Sequence, residues 1–433
     1  MTDAPSPSAA PPAAPLIVTE PLPRAWPWYS QQARERVSRR IEAGDVYAFG
    51  RHDAITDLEG WATEYFGVRH ALAVSSGTAA LASAFFSLDL QAGDEVLVPT
   101  YTFHATCTPL FQTGVRPVLY DCDPVTARAD IGDLESRVTS RTRAVVVTHM
   151  FGLPADMDEV MRIARQKGLA VVEDAAQAHG ATYKGRRVGT IGDVGCFSLG
   201  GQKTISGGMG GLVVTDRTDV YEKSLCFGHA HERAQEEILR DSSAWAATAM
   251  GFGSNLRMHP LAAELALDHC SSLGERIKIR TEILTGLTDS LRQFDFLSLP
   301  ETPADCTRGG WYGYKVRYRP ERLGGLPIGR FVSMLKERGV AVSVPTTRPL
   351  HHLWPFGDDG SAQVGDPTAH RVRQAVGPTP ELSGATGLYE ATISFPDKHL
   401  HEPAERLIAQ YIDAIGDAAE ADHRKGGDTH GEC

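Results

Sequence analysis

Strand-like and helix-like segments alternate from about residue 70 to residue 176, and this alternation constrains the fold more than any other feature of the sequence. Short apolar segments such as HALAVSS and TRAVVVTHMFG are followed by segments with helical periodicity, GTAALASAFFSL and DMDEVMRIARQKG. Repeated strand–helix units build a largely parallel sheet covered by helices on both faces, so the sequence predicts an α/β fold. Because such sheets bind ligands at the carboxyl ends of their strands, functional residues are expected where the apolar segments stop.

The alternation becomes irregular beyond about residue 275. A helical pattern over RIKIRTEILTGLTDSLRQF leads into WYGYKVRY, FVSMLKERGVAVSV and a final helical segment, AERLIAQYIDAIGDAAEA, which together are typical of a smaller α+β domain. We therefore predict a large domain over residues 26–285 and a small C-terminal domain over residues 286–416. The Pro/Ala-rich residues 1–25 and the polar residues 417–433 are expected to be a disordered leader and a disordered tail.

Composition and charge exclude several classes of function. The 433 residues are 42% hydrophobic and 22% charged, as in a soluble globular protein. The net charge of -11 argues against nucleic acid or an anionic membrane as the main partner. No apolar segment approaches the ~20 residues that cross a bilayer, and the N-terminus has neither the basic region nor the apolar core of a secretory signal. The seven cysteines are scattered without a C-x-x-C pair, so we expect a reducing, cytoplasmic environment.

Two strand ends carry polar residues that have more than one interpretation. In AVSSGTAAL a helix begins near Thr78, where the free N–H groups suit either a phosphate or an ordinary Ser/Thr cap. In VVEDAAQAHGA, Asp174 can cap a helix, bind a metal or hold a protonated ring nitrogen. Metal binding is the poorer alternative, because no His, Cys or Asp residues at ligand spacing accompany Asp174. The paired histidines HAH (229–231) and HH (351–352) are expected at the surface or facing substrate.

The stretch FSLGGQKTISGGMGG places Ser198 five residues before Lys203, among glycines. It is not a P-loop, because Gln202 separates Gly201 from the lysine, and its later glycines precede a strand-like LVVT rather than a helix. Lys203 is therefore either a charge on a loop or a reactive amine. A desolvated lysine becomes nucleophilic and forms Schiff bases with aldehydes.

These groups fit one cofactor, pyridoxal 5′-phosphate (PLP). A helix N-terminus suits its phosphate, an acid suits its pyridine nitrogen, and a lysine amine suits its aldehyde. Phe103, in VPTYTFHAT, follows another strand and is expected either to stack on the cofactor ring or to pack in the core. The combination predicts a PLP enzyme more specifically than any one of these residues does.

The chain resembles the DegT/DnrJ/EryC1/StrS aminotransferases from about Gly44 to about Tyr411. The resemblance is carried by SSGTAAL, GDEVLVPTYTFHAT, VVEDAAQAHGATYKGRRVGTIGDVGCFSL, the lysine stretch and GFGSNLRMHPLAAELAL. It implies the fold-type I architecture of PLP-dependent transferases, with a large PLP-binding domain. It also implies a homodimer in which the two subunits share their active sites.

The resemblance assigns a role to individual residues. It implies that Lys203 holds the cofactor and then moves protons, that Asp174 pairs with the ring nitrogen, and that Gln177 lies near the phenolic oxygen. The remaining cofactor-binding residues implied are Gly77, Thr78, Ala79 and Ser198 at the phosphate, Phe103 on the ring, and Asn255, which reaches the cofactor of the neighbouring subunit. Substrate contacts are expected from Arg257, and in the small domain from Tyr312, Arg348, His351 and His352, although core aromatics and a solvated turn explain the latter group equally well. No metal is expected.

Two departures from the family pattern concern the lysine stretch. Met209 gives GMGG where the family often has an acidic residue, and GGQ precedes the lysine where a histidine or other polar residue is common. Some related sugar dehydratases carry histidine in place of the lysine, so Lys203 favours transamination. We expect an aminotransferase of secondary metabolism that moves an amino group from glutamate or glutamine to a keto-sugar or keto-cyclitol. PLP-dependent elimination or dehydration and a non-catalytic relative are the alternatives.

Overall fold

A computed structural model describes residues 16–47, 51, 53–357, 372–374, 376–395 and 399–427, with backbone alone for 422–427. Residues 1–15 of the expected leader and residues 428–433 of the expected tail lie outside this range. Within it, no helix combines the length and apolar character needed to cross a membrane.

The helices and strands are numbered in chain order. The helices are α1 Gln31–Ala43, α2 Asp53–Phe66, α3 Gly77–Ser87, α4 Ile131–Ser136, α5 Met157–Lys167, α6 Thr218–Gly228, α7 His231–Glu237, α8 Pro260–Ser271, α9 Leu273–Leu291, α10 Ile328–Glu337, α11 Ser383–Ala391 and α12 Glu405–Gly427. The strands are β1 His70–Val74, β2 Glu95–Pro99, β3 Arg116–Tyr120, β4 Thr142–Thr148, β5 Ala170–Asp174, β6 Thr182–Tyr183, β7 Arg186–Arg187, β8 Val194–Ser198, β9 Gly211–Thr215, β10 Leu297–Ser298, β11 Cys306–Thr307, β12 Tyr314–Tyr318 and β13 Thr392–Phe395.

In the described residues, the large sheet has seven strands in the order β1-β9-β8-β5-β4-β2-β3. Neighbouring strands from β8 to β3 are parallel, and β9 runs antiparallel to β1 and β8. Successive valines of β4 point to opposite faces: Val146 belongs to a core with α3 and α6, while Val145 and Val147 pack with α5. The predicted α/β fold with a mostly parallel sheet is confirmed.

A second core lies around a three-stranded antiparallel sheet of order β10-β12-β13. The last turns of α9 enter this core through Leu284, Leu287 and Leu291, whereas Leu273 at the start of the helix packs in the large-sheet core. The domain boundary predicted at 285/286 therefore falls inside α9, and we propose that this helix belongs to both domains.

Both segments expected to be disordered are partly structured. Val18 is buried in the small-domain core, and the amides of Ile17 and Val18 donate to the carbonyl of Arg338. At the other end, α12 continues to Gly427, through the first eleven residues of the expected tail. The order in the leader is explained by the apolar residues at the end of its Pro/Ala-rich stretch. The order in the tail is explained by the helix-forming residues before DHRKGG.

Candidate active site

The lysine stretch is a compact turn that joins the antiparallel strands β8 and β9. Backbone hydrogen bonds close it, with the amide of Leu199 donating to the carbonyl of Gly210 at 2.8 Å and that of Gly201 to Gly208 at 2.9 Å. Gly201 and Gly208 adopt φ of 54° and 77°, the left-handed region that glycine enters without strain. These glycines let the turn fold tightly at the carboxyl end of β8.

Three contacts from elsewhere in the chain fix the backbone around Lys203. The indole N–H of Trp26 donates to the carbonyl of Lys203 at 2.8 Å. Arg276 in α9 donates through Nη1 to the carbonyl of Thr204 at 2.9 Å, and its guanidinium lies 4.6 Å from the centre of the Trp26 ring. The lysine is therefore held on a braced backbone rather than on a free loop.

The side chain of Lys203 is half-buried, and its amine lies against an aromatic ring. Its Nζ lies 3.9 Å from the centre of the Tyr312 ring. Burial lowers the pKa of Lys203 from 10.5 to about 8, while the negative charge of Asp174 acts in the opposite direction. A substantial fraction of the amine is therefore neutral near pH 8, which is the form that attacks a carbonyl carbon.

Asp174 ends β5 and is 4% exposed. Its Oδ2 accepts a hydrogen bond from Thr106 Oγ1 at 2.6 Å, and its Oδ1 accepts from the amide of Ala176 at 3.1 Å. Thr106 lies after β2 and is itself 2.7 Å from Thr102, so the carboxylate is oriented by a neighbouring loop. It remains an acceptor of the kind that a protonated ring nitrogen needs.

The start of α3 and the end of β8 meet closely. Ser76 caps the helix, with its Oγ accepting from the amide of Ala79 at 3.0 Å. A Cβ on Gly77 would lie 2.7 Å from the Cβ of Ser198, so only glycine allows this approach. The structure thus brings Gly77, Thr78, Ala79 and Ser198 together at a helix N-terminus, which is a favourable place for an anion.

Gln177 is positioned by an unusual backbone conformation. Its Oε1 accepts from the amide of Phe151 at 3.0 Å, and Phe151 has φ of 55°, a left-handed conformation that is strained for a bulky residue. Trp311, directly before Tyr312, has φ of 48°. Strain of this kind clusters at functional sites, where the surrounding structure maintains it.

Phe103 and Asn255 are both exposed in the single chain. Phe103 is 51% exposed and touches His104, so of its two interpretations core packing is excluded. Asn255 Oδ1 accepts from Arg257 Nε at 2.9 Å. Leu256 lies between Asn255 and Arg257, and its carbonyl accepts a hydrogen bond from the amide of Ser75 at 2.6 Å. This contact places residues 255–257 beside the end of β1.

The two small-domain histidines are engaged in the interior. His351 Nδ1 lies 2.7 Å from Thr100 Oγ1, its Nε2 lies 3.1 Å from Thr386 Oγ1, and burial lowers its pKa to about 4. His352 Nε2 is 3.2 Å from the same Thr386 hydroxyl. His351 is therefore buried rather than at the surface, while His352 is half-buried, and its expected contact with substrate stays a prediction. Arg348 is exposed.

A cavity of about 250 Å³ opens beside Lys203. In the described part of the chain its lining includes Tyr312 but neither His351 nor His352. The other polar members of the lining are Tyr101, Gln177, Gln202, Lys315, Ser343, Thr346, Thr347 and Ser394. A larger groove of about 560 Å³ lies at the amino ends of the strands, away from the lysine, where sheets of this type do not bind their ligands.

Several of these residues were missed by the sequence analysis. Lys315 and Phe151 lie within quoted segments, and neither stood out there, because Lys315 shares the short strand β12 with a second basic residue, Arg317. Nothing in the sequence marked Trp26 or Arg276 as partners of the lysine turn.

The sequence analysis also missed Glu173, a wholly buried carboxylate beside Asp174. It lies 2.9 Å from His149 Nε2 and accepts from the amides of Gly189, Ile191 and Gly192 at 2.6–2.7 Å. These donors hold the pKa of Glu173 below its ordinary value despite burial. Through these hydrogen bonds, Glu173 connects the end of β4 and the loop after β7 to β5, the strand that carries Asp174.

A lysine whose amine is covered by a tyrosine ring, a buried carboxylate and a helix N-terminus lie together at the carboxyl edge of a mostly parallel sheet. This combination defines the class of fold-type I transferases. Residues 30–377 match the model of the DegT/DnrJ/EryC1/StrS aminotransferase family, and the chain belongs to that family. The expected family and enzyme class are thereby confirmed, and PLP is the cofactor on which this family depends.

Named relatives agree with this assignment. The chain is 33% identical over 310 residues to Protein MosB of Rhizobium meliloti, covering 70% of this chain and 61% of that protein. It is 32% identical over 415 residues to the L-glutamine:scyllo-inosose aminotransferase of Streptomyces griseus, covering 92% and 93% of the two chains. The X-ray structure of the aminotransferase from Psychrobacter cryohalolentis superimposes with a TM-score of 0.80 at 27% identity, covering 93% of this chain and all of that one.

Proposed function

We propose that this aminotransferase uses PLP to move an amino group from glutamine or glutamate to a keto-cyclitol or keto-sugar. The observation that carries the proposal is the buried amine of Lys203, with its pKa of about 8, on a braced turn beside Asp174 and the N-terminus of α3. A solvated loop charge would have neither the burial nor the bracing.

The residues present fit the cofactor. We assign Lys203 to its aldehyde, Asp174 to its pyridine nitrogen, and Ser198 with the first amides of α3 to its phosphate. Gln177 lies on the cavity wall beside Tyr312, and the exposed Phe103 is available to cover the ring. When bound, PLP supplies an electron sink that stabilises negative charge on the substrate carbon.

The protein's own groups then have defined tasks. Lys203 would take a proton from the donor α-carbon and deliver it to the cofactor carbon that carries the nitrogen, and a pKa near the working pH suits an amine that must do both. Asp174 keeps the ring nitrogen protonated by its negative charge. Tyr312 covers the amine and excludes water from it.

The nature of the acceptor is proposed from the cavity and from the relatives. Hydroxyl and amide groups dominate its polar lining, and they suit the hydroxyls of a polyol ring. A volume of about 250 Å³ is adequate for a cyclitol or a single sugar. The relative from Streptomyces griseus is named for L-glutamine and scyllo-inosose, which makes that pair the first to test. Arg257 and Arg348 remain proposed contacts for anionic groups of substrate.

We further propose a homodimer in which Asn255 reaches the neighbouring cofactor. Four large apolar side chains, Phe103, Met209, Met250 and Phe252, are between 51% and 90% exposed in the single chain. Covering them in a dimer would explain the methionine in the GMGG segment. The described cysteines are free and buried, in keeping with the proposed reducing cytoplasm.

The decisive experiment is a donor and acceptor screen on purified protein loaded with PLP. Conversion of the cofactor's absorbance by L-glutamine, and its return on adding scyllo-inosose or a keto-sugar nucleotide, is the expected result. Lys203→Ala should abolish both changes, whereas Lys336→Ala, at an exposed lysine of α10, should leave them intact. Loss of a substrate hydroxyl without consumption of donor would instead indicate dehydration.

A further inference from the structure

Tyr101 is a buried residue in the lining of the cavity, and its hydroxyl has no hydrogen-bond partner among the residues that the structure describes. The residue as a whole is 3% exposed. Its hydroxyl is nevertheless not one of the described polar atoms that are fully enclosed without a partner, so it opens to the cavity. A buried tyrosine hydroxyl usually finds a partner, and one that opens unpaired into a cavity points to a bound molecule.

The other polar groups of the lining are either engaged or less buried. Gln177 accepts a hydrogen bond from the amide of Phe151, and the hydroxyl of Ser394 accepts one from Lys315. The half-buried or exposed groups, which water can reach, are those of Gln202, Tyr312, Ser343, Thr346 and Thr347. Among the described residues of the lining, Tyr101 is therefore the buried one whose hydroxyl is still free.

Contacts on both sides of Tyr101 fix its position. The amide of Thr100 donates to the carbonyl of the last residue of β3 at 2.9 Å. The hydroxyl of Thr102 lies 2.7 Å from that of Thr106. The ring of Tyr101 packs in a small core cluster and lies edge-on to the ring of Phe151, with the ring centres 6.1 Å apart. The free hydroxyl is thus presented by a fixed backbone and a packed ring, as the recognition of a substrate group requires.

The hydroxyl of Tyr101 suits a neutral polar group of a substrate. Burial raises the pKa of Tyr101 above its ordinary value of 10, so the phenol stays protonated at neutral pH. A protonated phenol both donates and accepts hydrogen bonds, and a hydroxyl on a polyol ring does the same. The amino donor carries an ammonium and a carboxylate, which groups of opposite charge bind more strongly. A neutral, polyhydroxylated acceptor therefore matches this phenol better than the donor does.

We propose that the hydroxyl of Tyr101 binds a ring hydroxyl of a keto-cyclitol acceptor. This inference rests on the proposed function, in which the acceptor enters the cavity after the donor has left its amino group on the cofactor. A site built to hydrogen-bond a substrate hydroxyl rejects the analogue without it, because a polar group of the site is then left unpaired. Tyr101 is thus a specificity-determining residue of the acceptor half-reaction.

The test follows the two half-reactions separately, by cofactor absorbance, in the wild type, Tyr101→Phe and the control Tyr389→Phe. Phenylalanine keeps the packed ring of residue 101 and removes a hydroxyl that holds no described partner, so the fold loses no described hydrogen bond. Tyr389 packs against the same core cluster but is not among the described residues that line the cavity.

Tyr101→Phe should lower kcat/KM for scyllo-inosose about 10- to 100-fold, because the ring hydroxyl loses its partner. The same substitution should change the L-glutamine half-reaction by less than about threefold. Tyr389→Phe should match the wild type in both half-reactions.

Analogues of scyllo-inosose that each lack one ring hydroxyl identify the group that Tyr101 contacts. One of these analogues should react with the wild type about as slowly as scyllo-inosose reacts with Tyr101→Phe. With that analogue the substitution should cost nothing further, because the two changes remove the same hydrogen bond.

The outcomes separate this proposal from the proposed function. Unchanged acceptor kinetics in Tyr101→Phe would show that the hydroxyl holds only water, and equal losses in both half-reactions would show a structural role; either result overturns the proposal. An equal loss with scyllo-inosose and with all of its deoxy analogues would show that the phenol contacts no ring hydroxyl, and it overturns the proposal as well. A wild type that converts L-glutamine but aminates no keto-cyclitol would refute this inference and leave PLP-dependent transamination standing. A wild type that binds PLP but converts no donor would refute both proposals.

Discussion

Replacing Lys203 by methionine should make the cofactor-free protein more stable while abolishing its activity. Methionine has a similar length and no charge, and its sulfur packs well against an aromatic ring such as that of Tyr312. The substitution therefore removes the buried ammonium without opening a cavity. Functional groups held in unfavourable environments commonly show this opposition of stability and activity.

The magnitude follows from the pKa of Lys203. Burial lowers it from 10.5 to about 8, and one pKa unit is worth about 1.4 kcal/mol. Holding the protonated amine thus destabilises the folded chain by about 3 kcal/mol at pH 7. Between pH 8 and 10.5 the unfolded chain binds the proton that the folded chain has released, so wild-type stability rises with pH relative to the variant. The advantage of Lys203→Met should shrink by about 1.4 kcal/mol per pH unit above pH 8.

Urea unfolding of wild type and Lys203→Met, both free of PLP, measures this difference from pH 7 to pH 9.5. The protein concentration is fixed, because assembly also contributes to apparent stability. Lys336→Met, at an exposed lysine, controls for the loss of a charge as such and should show no such pH trend. A stability difference between Lys203→Met and the wild type that stays constant over this pH range would refute the reasoning.

Three further substitutions test the supports of the site. Gly77→Ala should weaken PLP binding about tenfold or more, measured by cofactor titration, because its Cβ would lie 2.7 Å from Ser198 Cβ; Gly286→Ala, in the open, is its control. Glu173→Gln should lower the unfolding free energy at pH 7 by about 3 kcal/mol. The difference in unfolding free energy between wild type and variant should narrow as pH falls below 4.5, because the wild-type carboxylate then loses the stability that its depressed pKa confers. Trp26→Phe removes the indole donor to Lys203 and should reduce kcat with little change in KM; an unchanged kcat would show that this hydrogen bond does not position the lysine.

The sequence predicted the parts of the fold and site that depend on neighbouring residues. The strand–helix alternation predicted the parallel sheet, since each segment carries its own hydrophobic period. Asp174 and Ser198 were recognisable because each stands where an apolar strand stops, and Lys203 because it follows Ser198 among glycines.

What the sequence left out depends on contacts between distant segments. Trp26 meets the carbonyl of Lys203 across 177 residues of chain, and no local pattern reports such a contact. The burial of His351 was missed for the same reason, since its hydroxyl partners are Thr100, directly after β2, and Thr386 on α11. The leader was judged from its proline and alanine content, which does not reveal that Val18 fills a place in the small-domain core.

Helix α9 connects the two sides of the site, and its geometry explains why the small domain matters to Lys203. Arg276 donates to the carbonyl beside Lys203, and Arg280, one helical turn later on the same face, donates through Nη2 to the carbonyl of Trp311 at 2.8 Å. The first arginine thus holds the turn that carries the amine, and the second holds the residue before Tyr312, whose ring covers that amine. Because both anchors sit on one rigid helix, the spacing between lysine and tyrosine is set by the helix rather than by either loop. A domain movement that shifted α9 would carry both groups together and leave the buried amine covered.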